Sequence, residues 1–149
     1  MGLRGGFSIM TPAAFIRFKS GQTEISDDLQ REYYSIDKCW YDFHLLFKTL
    51  GPPLSSALDG DYHPPDCPPD LDSFADGSYP SDFYIAVVSS PVVAEIARSL
   101  ERMTDREVAE LRQLSKVEPD SYFKSCFTSM QSAYSLAASK ENCLLFTVC

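Results

Sequence analysis

Ser35-Ile36-Asp37-Lys38-Cys39-Trp40-Tyr41-Asp42-Phe43-His44-Leu45-Leu46-Phe47-Lys48-Thr49-Leu50 is the stretch that organises the chain. Trp40, Phe43, His44 and Phe47 recur at three- and four-residue spacing, with Ile36, Leu46 and Leu50 flanking them, so one apolar stripe runs along a helix. Ser35 stands where a hydroxyl can cap the first turn, and the helix is expected over 36–50. Gly51-Pro52-Pro53 ends it, because neither proline supplies a helical N–H.

Upstream, Phe7 to Met10 reads as a short strand after Gly5-Gly6. Thr11-Pro12 then has the form of an N-cap with proline at the first helical position, opening a short helix that stops near Gly21. Residues 22–34 are polar and acidic and read as a further helix. Downstream, Phe83 to Val88 is continuously apolar, which suits a central strand covered on both faces. Ser90-Pro91 caps a helix with Val92, Val93, Ile96, Ala97 and Leu100 on one face. Thr104 and Glu107 form a capping box. Pro119 opens a long helix striped by Phe123, Cys126, Phe127, Met130, Tyr134 and Ala137, and Cys143 to Val148 closes the chain as a buried strand. Helices predominate and strand–helix alternation is absent. The expectation is an α+β fold, with a small mixed sheet packed by about five helices in one compact domain over 1–149.

The segment 51–81 breaks this pattern. It holds seven of the ten prolines and six aspartates, and the pairs at 52–53, 64–65 and 68–69 leave little room for helix or central strand. It is expected to be a long acidic loop, a feature that in compact domains tends to be functional or mobile.

The run Asp37-Lys38-Cys39-Trp40 through His44 and Leu46 resembles the "D-K-x-W-x-x-x-H-x-L" helix of the YfbM-like family (domain of unknown function 1877). The segment from Met1-Gly2 to Ile9 resembles that family's first strand. Pro53-Leu54-Ser55 with Ala57 and Gly60 resembles its "P-L-x-x-A-x-x-G" segment, and Ser90 to Ala97 with Leu100 its "V-x-x-I-A-x-x-L" helix. The resemblance implies a compact α+β domain with a small sheet and packed helices. It implies no reaction, and this chain departs from the family pattern in its Pro/Asp-rich middle.

Charge is unevenly placed. Between Thr49 and Ala97 there is no Lys or Arg, while Asp59, Asp61, Asp66, Asp70, Asp72, Asp76, Asp82 and Glu95 lie there; the whole chain carries a net charge of −8, and the remainder is balanced. Such a field repels nucleic acid and anionic lipid and steers a basic protein partner. The expectation is therefore a basic protein partner, with no nucleic acid and no membrane. The amino-terminal residues have neither a secretory pattern nor a myristoylation signal. Five cysteines with no C-x-x-C spacing suit a reducing compartment, so the protein is expected to be cytoplasmic.

Three groups are candidates for chemistry. Asp37, Trp40 and His44 can share one helix side and form a ligand pocket with an acid–histidine pair, although a histidine on such a stripe is more often a core residue. His63, Asp66 and Cys67 are metal ligands by type but lack a second pair, and Asp70-x-Asp72 lacks the following ligands of a calcium loop. No metal and no cofactor is expected. Cys39 and His44 lie five apart on the expected helix and point differently, and no nucleophile elbow, phosphate loop or dinucleotide fingerprint occurs. The balance leans against an enzyme. It favours an acidic interaction domain, of which an immunity or antitoxin-type protein is the most concrete version. Asp61, Tyr62, Asp66, Asp70, Asp72, Phe74, Asp76 and Tyr79 are its expected contact residues, the aromatics serving as exposed anchors.

Overall fold

In the computed structural model, which describes residues 2–21 and 33–149, four strands form one sheet in the order β2–β1–β4–β3. They are β1 (Gly5–Met10), β2 (Tyr33–Asp37), β3 (Tyr84–Val88) and β4 (Cys143–Val148). Every pairing is antiparallel, so the fold is α+β as expected while the sheet is not mixed. The helices among the described residues are α1 (Pro12–Lys19), α2 (Trp40–Leu50), α3 (Leu71–Ala75), α4 (Ser90–Arg102), α5 (Asp105–Leu114) and α6 (Asp120–Ser139).

Alternation along the strands sorts side chains between two faces. Phe7, Ile9, Ala86, Val88, Leu144, Phe146 and Val148 join the main core with α2, α4 and α6. Met10, Val87, Cys143 and Leu145 face the other way and pack with Ala14 and Phe15 of α1. Helix α6 presents Phe123, Cys126, Phe127, Met130, Ala133, Tyr134 and Ala137 to the core, the stripe its sequence predicts. Burying a Phe or Leu there contributes about 1.5–3 kcal/mol each. Phe43 is wedged edge-on against Phe123, with ring centroids 5.4 Å apart, and this locks α2 to α6.

Four expectations change. Ser35 and Ile36 are strand, not helix: β2 pairs Gly6 with Ser35 and Phe7 with Tyr34, and helix α2 begins only at Trp40 after Cys39. Asp37 adopts φ of 44°, a left-handed turn that a continuing helix would not allow, and its N–H donates to Ser35 Oγ at 3.1 Å. Tyr33 and Tyr34 likewise belong to β2, while the rest of the helix expected over 22–34 lies outside the described residues. Strand β3 is an edge strand, and β4 holds the central place beside β1. Finally, Ser89 stands at the N-cap of α4 and Pro91 lies inside its first turn.

The edge of β3 is closed by the acidic segment. Val87 N–H donates to Tyr62 O at 2.9 Å, and Tyr62 N–H donates back to Val87 O at 3.1 Å. At the start of the strand, the Ser81 hydroxyl donates to Phe83 O at 2.8 Å. The Tyr62 bridge occupies edge groups of Val87 that would otherwise be free to pair with another chain. Residues 51–81 are thus less irregular than their prolines predict. They contain a 3₁₀ turn at Leu54–Ser56 and helix α3, whose N-cap Asp70 accepts the Ser73 N–H at 2.7 Å.

Candidate functional site

The acidic segment is fastened to the domain through its own carboxylates. Asp59 Oδ1 accepts from the Tyr84 hydroxyl at 2.6 Å and from the Leu71 N–H at 2.9 Å, and His63 Nε2 lies 3.5 Å away. Asp61 accepts from both the N–H and the hydroxyl of Ser89. Asp72 accepts from Lys48 Nζ at 2.6 Å and faces His44 Nε2 at 3.2 Å. Asp76 makes only a local turn bond, accepting the Ser78 N–H at 2.8 Å. Apolar contacts add to these ties: Leu54, Ala57, Leu58, Cys67, Leu71 and Phe74 are buried, and the buried Tyr134 hydroxyl donates to Ala57 O at 2.5 Å.

These bonds set the electrostatics. Burial opposes ionisation of Asp59, but the bonds from His63, Tyr84 and the Leu71 amide outweigh it and hold its carboxyl below the usual range. Lys48 holds Asp72 low, and Ser78 does the same for Asp76. His63 is pushed up, chiefly by its bond to Asp59, against the cost of burial. The carboxylates thus stay charged, and their positions are set by the protein. Asp66 and Asp82 are exposed. Within residues 75–83 every residue except Ser81 is exposed, which puts Asp76, Tyr79, Asp82 and Phe83 on one projecting stretch.

Asp37, Trp40 and His44 each engage other parts of the domain. Asp37 precedes the helix, and its Oδ2 accepts from the Tyr122 hydroxyl at 2.6 Å. Arg4 Nε is 3.2 Å from Asp37 Oδ1 without the alignment of a hydrogen bond. Trp40 donates its indole N–H to Leu3 O at 3.2 Å and packs against Phe74 with centroids 5.9 Å apart. His44 is 1% exposed; its Nε2 faces Asp72 while its buried Nδ1 has no hydrogen-bond partner among the described residues. Trp40 and His44 thus both meet α3, while Asp37 is tied to Tyr122 of α6. Grooves of about 600 and 630 Å³ flank α6, one lined by Leu100, Gln131 and Ser135, the other by Val108, Arg112 and Phe127, and neither includes the three residues.

The expected contact residues divide similarly. Phe74 is buried against Trp40 and Tyr84, so it is not an exposed anchor. Tyr62 is half-buried and closes the β3 edge beside Phe15. Asp61, Asp70 and Asp72 accept internal hydrogen bonds, Asp61 while staying exposed, whereas Asp66, Asp76 and Tyr79 lie at the surface, Asp76 with only a local bond from Ser78. Asp82 and the 44%-exposed Phe83 extend that surface. Sequence reading treats Phe83 as buried strand because it adjoins an apolar run. Asp59 and Tyr84 also escape it, and His63, raised there only as a metal ligand, meets a Tyr84 that lies 21 residues away, too far for any local spacing to show.

Among the described residues no group of three or more His, Cys, Asp or Glu is placed to hold a metal ion. All five cysteines are unpaired, and burial pushes the Cys39, Cys67, Cys126 and Cys143 thiols up, which leaves them poor nucleophiles. No helix among the described residues is long and apolar enough to cross a membrane.

No family model and no curated protein matches the chain. Among solved structures it is similar to YfbM from Escherichia coli, a protein of unknown function, with a TM-score of 0.60 and 17% identity. The likeness covers 98% of this chain and 99% of that one. At that identity the likeness concerns architecture alone, and on that ground the chain has a YfbM-like fold.

Proposed function

We propose that this chain is a non-catalytic, cytoplasmic interaction domain, a divergent member of the YfbM-like family, whose acidic surface docks on a basic protein. An immunity or antitoxin-type role, in which a basic cleft is masked, is its most concrete form. One observation carries the reading: a third of the chain without Lys or Arg folds as an ordered segment that keeps Asp66, Asp76 and Asp82 at the surface. Fixed charge steers a partner without the entropy loss of ordering a floppy loop. Tyr79 and Phe83, exposed beside Asp76 and Asp82, supply aromatic area for such a contact. Five unpaired cysteines are in keeping with a reducing compartment.

The test should spare the structural aspartates. Asp66, Asp76 and Asp82 changed together to Asn remove surface charge while leaving Asp59, Asp61 and Asp72 in place. Wild type and this variant, matched in melting temperature, are used as baits in host lysate at low and moderate salt. A basic protein held by wild type, weakened by salt and lost by the variant supports the reading. Equal retention by both baits removes its electrostatic basis.

A further inference from the structure

The chain has two histidines, and both face aspartates of the acidic segment. His63 is the one in a position to change charge usefully. The Tyr84 hydroxyl has a single proton, and its 2.6 Å contact commits that proton to the Asp59 carboxylate. The same oxygen lies 2.9 Å from His63 Nε2, where it can only accept. Nε2 therefore bears a hydrogen in both charge states of the ring, and the titrating proton enters at Nδ1.

The surroundings favour the cation. Asp59 and Asp70 of the segment act on His63 directly, and Tyr84 of β3 holds its Nε2. Behind them, Asp72 of α3 acts on Tyr84, while His44 and Lys48 of α2 act on Asp59. Carboxylates thus predominate around the ring, and burial opposes them.

We propose that His63 is a proton-operated clasp: held at Nε2 by Tyr84, it loads and unloads a proton at Nδ1, and the charge gained strengthens both the Nε2–H bond to Tyr84 of strand β3 and the pair with Asp59 inside residues 59–71. Charged, it sets a cation against Asp59, the carboxylate that also receives the Leu71 N–H. Neutral, it keeps its bond to Tyr84 and loses the ion pair. Because its folded value is raised above 6.5, the stabilisation is complete below that pH and is lost as pH rises through the folded value. The clasp is independent of what the segment binds.

Two-bond ¹H–¹⁵N imidazole spectra of the full chain, recorded from mildly acidic to mildly alkaline pH, test it, with His63→Gln assigning the signals. The neutral ring is expected as the Nε2–H tautomer, with a midpoint above that of the unfolded chain. The Leu71 amide should exchange faster as His63 discharges, beyond the rise due to base catalysis, and His63→Gln should abolish that excess. Tyr84→Phe, where it folds, should shift the neutral ring toward a mixture of tautomers. A neutral Nδ1–H ring in wild type, or the same Leu71 exchange profile in wild type and His63→Gln, would overturn the proposal.

Discussion

Asp61 grips the first turn of helix α4 through Ser89, taking its backbone N–H at 2.7 Å and its hydroxyl at 2.6 Å. Ser89 sits at the N-cap without bonding that turn through its own side chain, so a carboxylate from another segment supplies the polar contact and the negative charge that a helix N-terminus favours. Asp61→Ala should cost about 1 kcal/mol of folding stability. Chemical denaturation checks this, and Asp61→Asn should lie between the variant and wild type.

Gly60 is required by its neighbours. Its φ is 68°, and a Cβ built there would lie 2.6 Å from the Val87 carbonyl oxygen. Backbone would have to move, which breaks the Tyr62–Val87 bridge next to it. Gly60→Ala should destabilise by well over about 1 kcal/mol, since both the dihedral and the space are wrong. Amide exchange should show Val87 losing protection first.

His44→Ala separates a core role from a ligand role. The side chain is buried and bonded to Asp72, so its loss leaves a cavity as well as an unpaired contact. The expected cost is on the order of 2–4 kcal/mol, seen as a lower melting temperature. An unchanged melting temperature would contradict the packing described above.

Acid should loosen the segment through Asp59. Its folded value is depressed, so it contributes stability above its ordinary value near 3.8, and that contribution is lost as pH falls through the folded value. Asp59→Asn should therefore reduce stability at neutral pH and flatten the acid limb of the stability profile. Denaturation midpoints measured down that limb decide it.

Tyr134 ties the beginning of the segment to α6 with a fully buried hydroxyl on Ala57 O. Tyr134→Phe leaves that carbonyl without its partner and should cost about 1–3 kcal/mol. Circular dichroism should show helix content unchanged.

The helices were legible wherever periodicity and capping agreed. Thr11 with Pro12, Thr104 with Glu107, and the stripe from Phe123 to Ala137 all stand where their spacing places them. The start of α2 was not, because Ser35 and Ile36 suit either a cap or a strand and only pairing with β1 decides between them. The edge position of β3 was hidden for a similar reason. An apolar run reports burial, and Tyr62 together with α1 helps cover this edge strand, leaving only Ile85 of β3 half-buried. Around the acidic segment, residue type gave the charge but not its use. Asp59, Asp61 and Asp72 differ from Asp66 and Asp82 only in partners that lie 12 to 28 residues away.

Trp40 is the chain's one tryptophan, and its indole joins two regions that are distant in sequence: Leu3 accepts its N–H, and Phe74 of α3 lies against its ring. Its environment is thus built by the amino-terminal segment and by the acidic segment together. The protein carries a native fluorophore at the seam between them. A red shift in its emission would register the release of either segment while the β1–β4 pairing was still intact, so one optical signal distinguishes local opening from global unfolding.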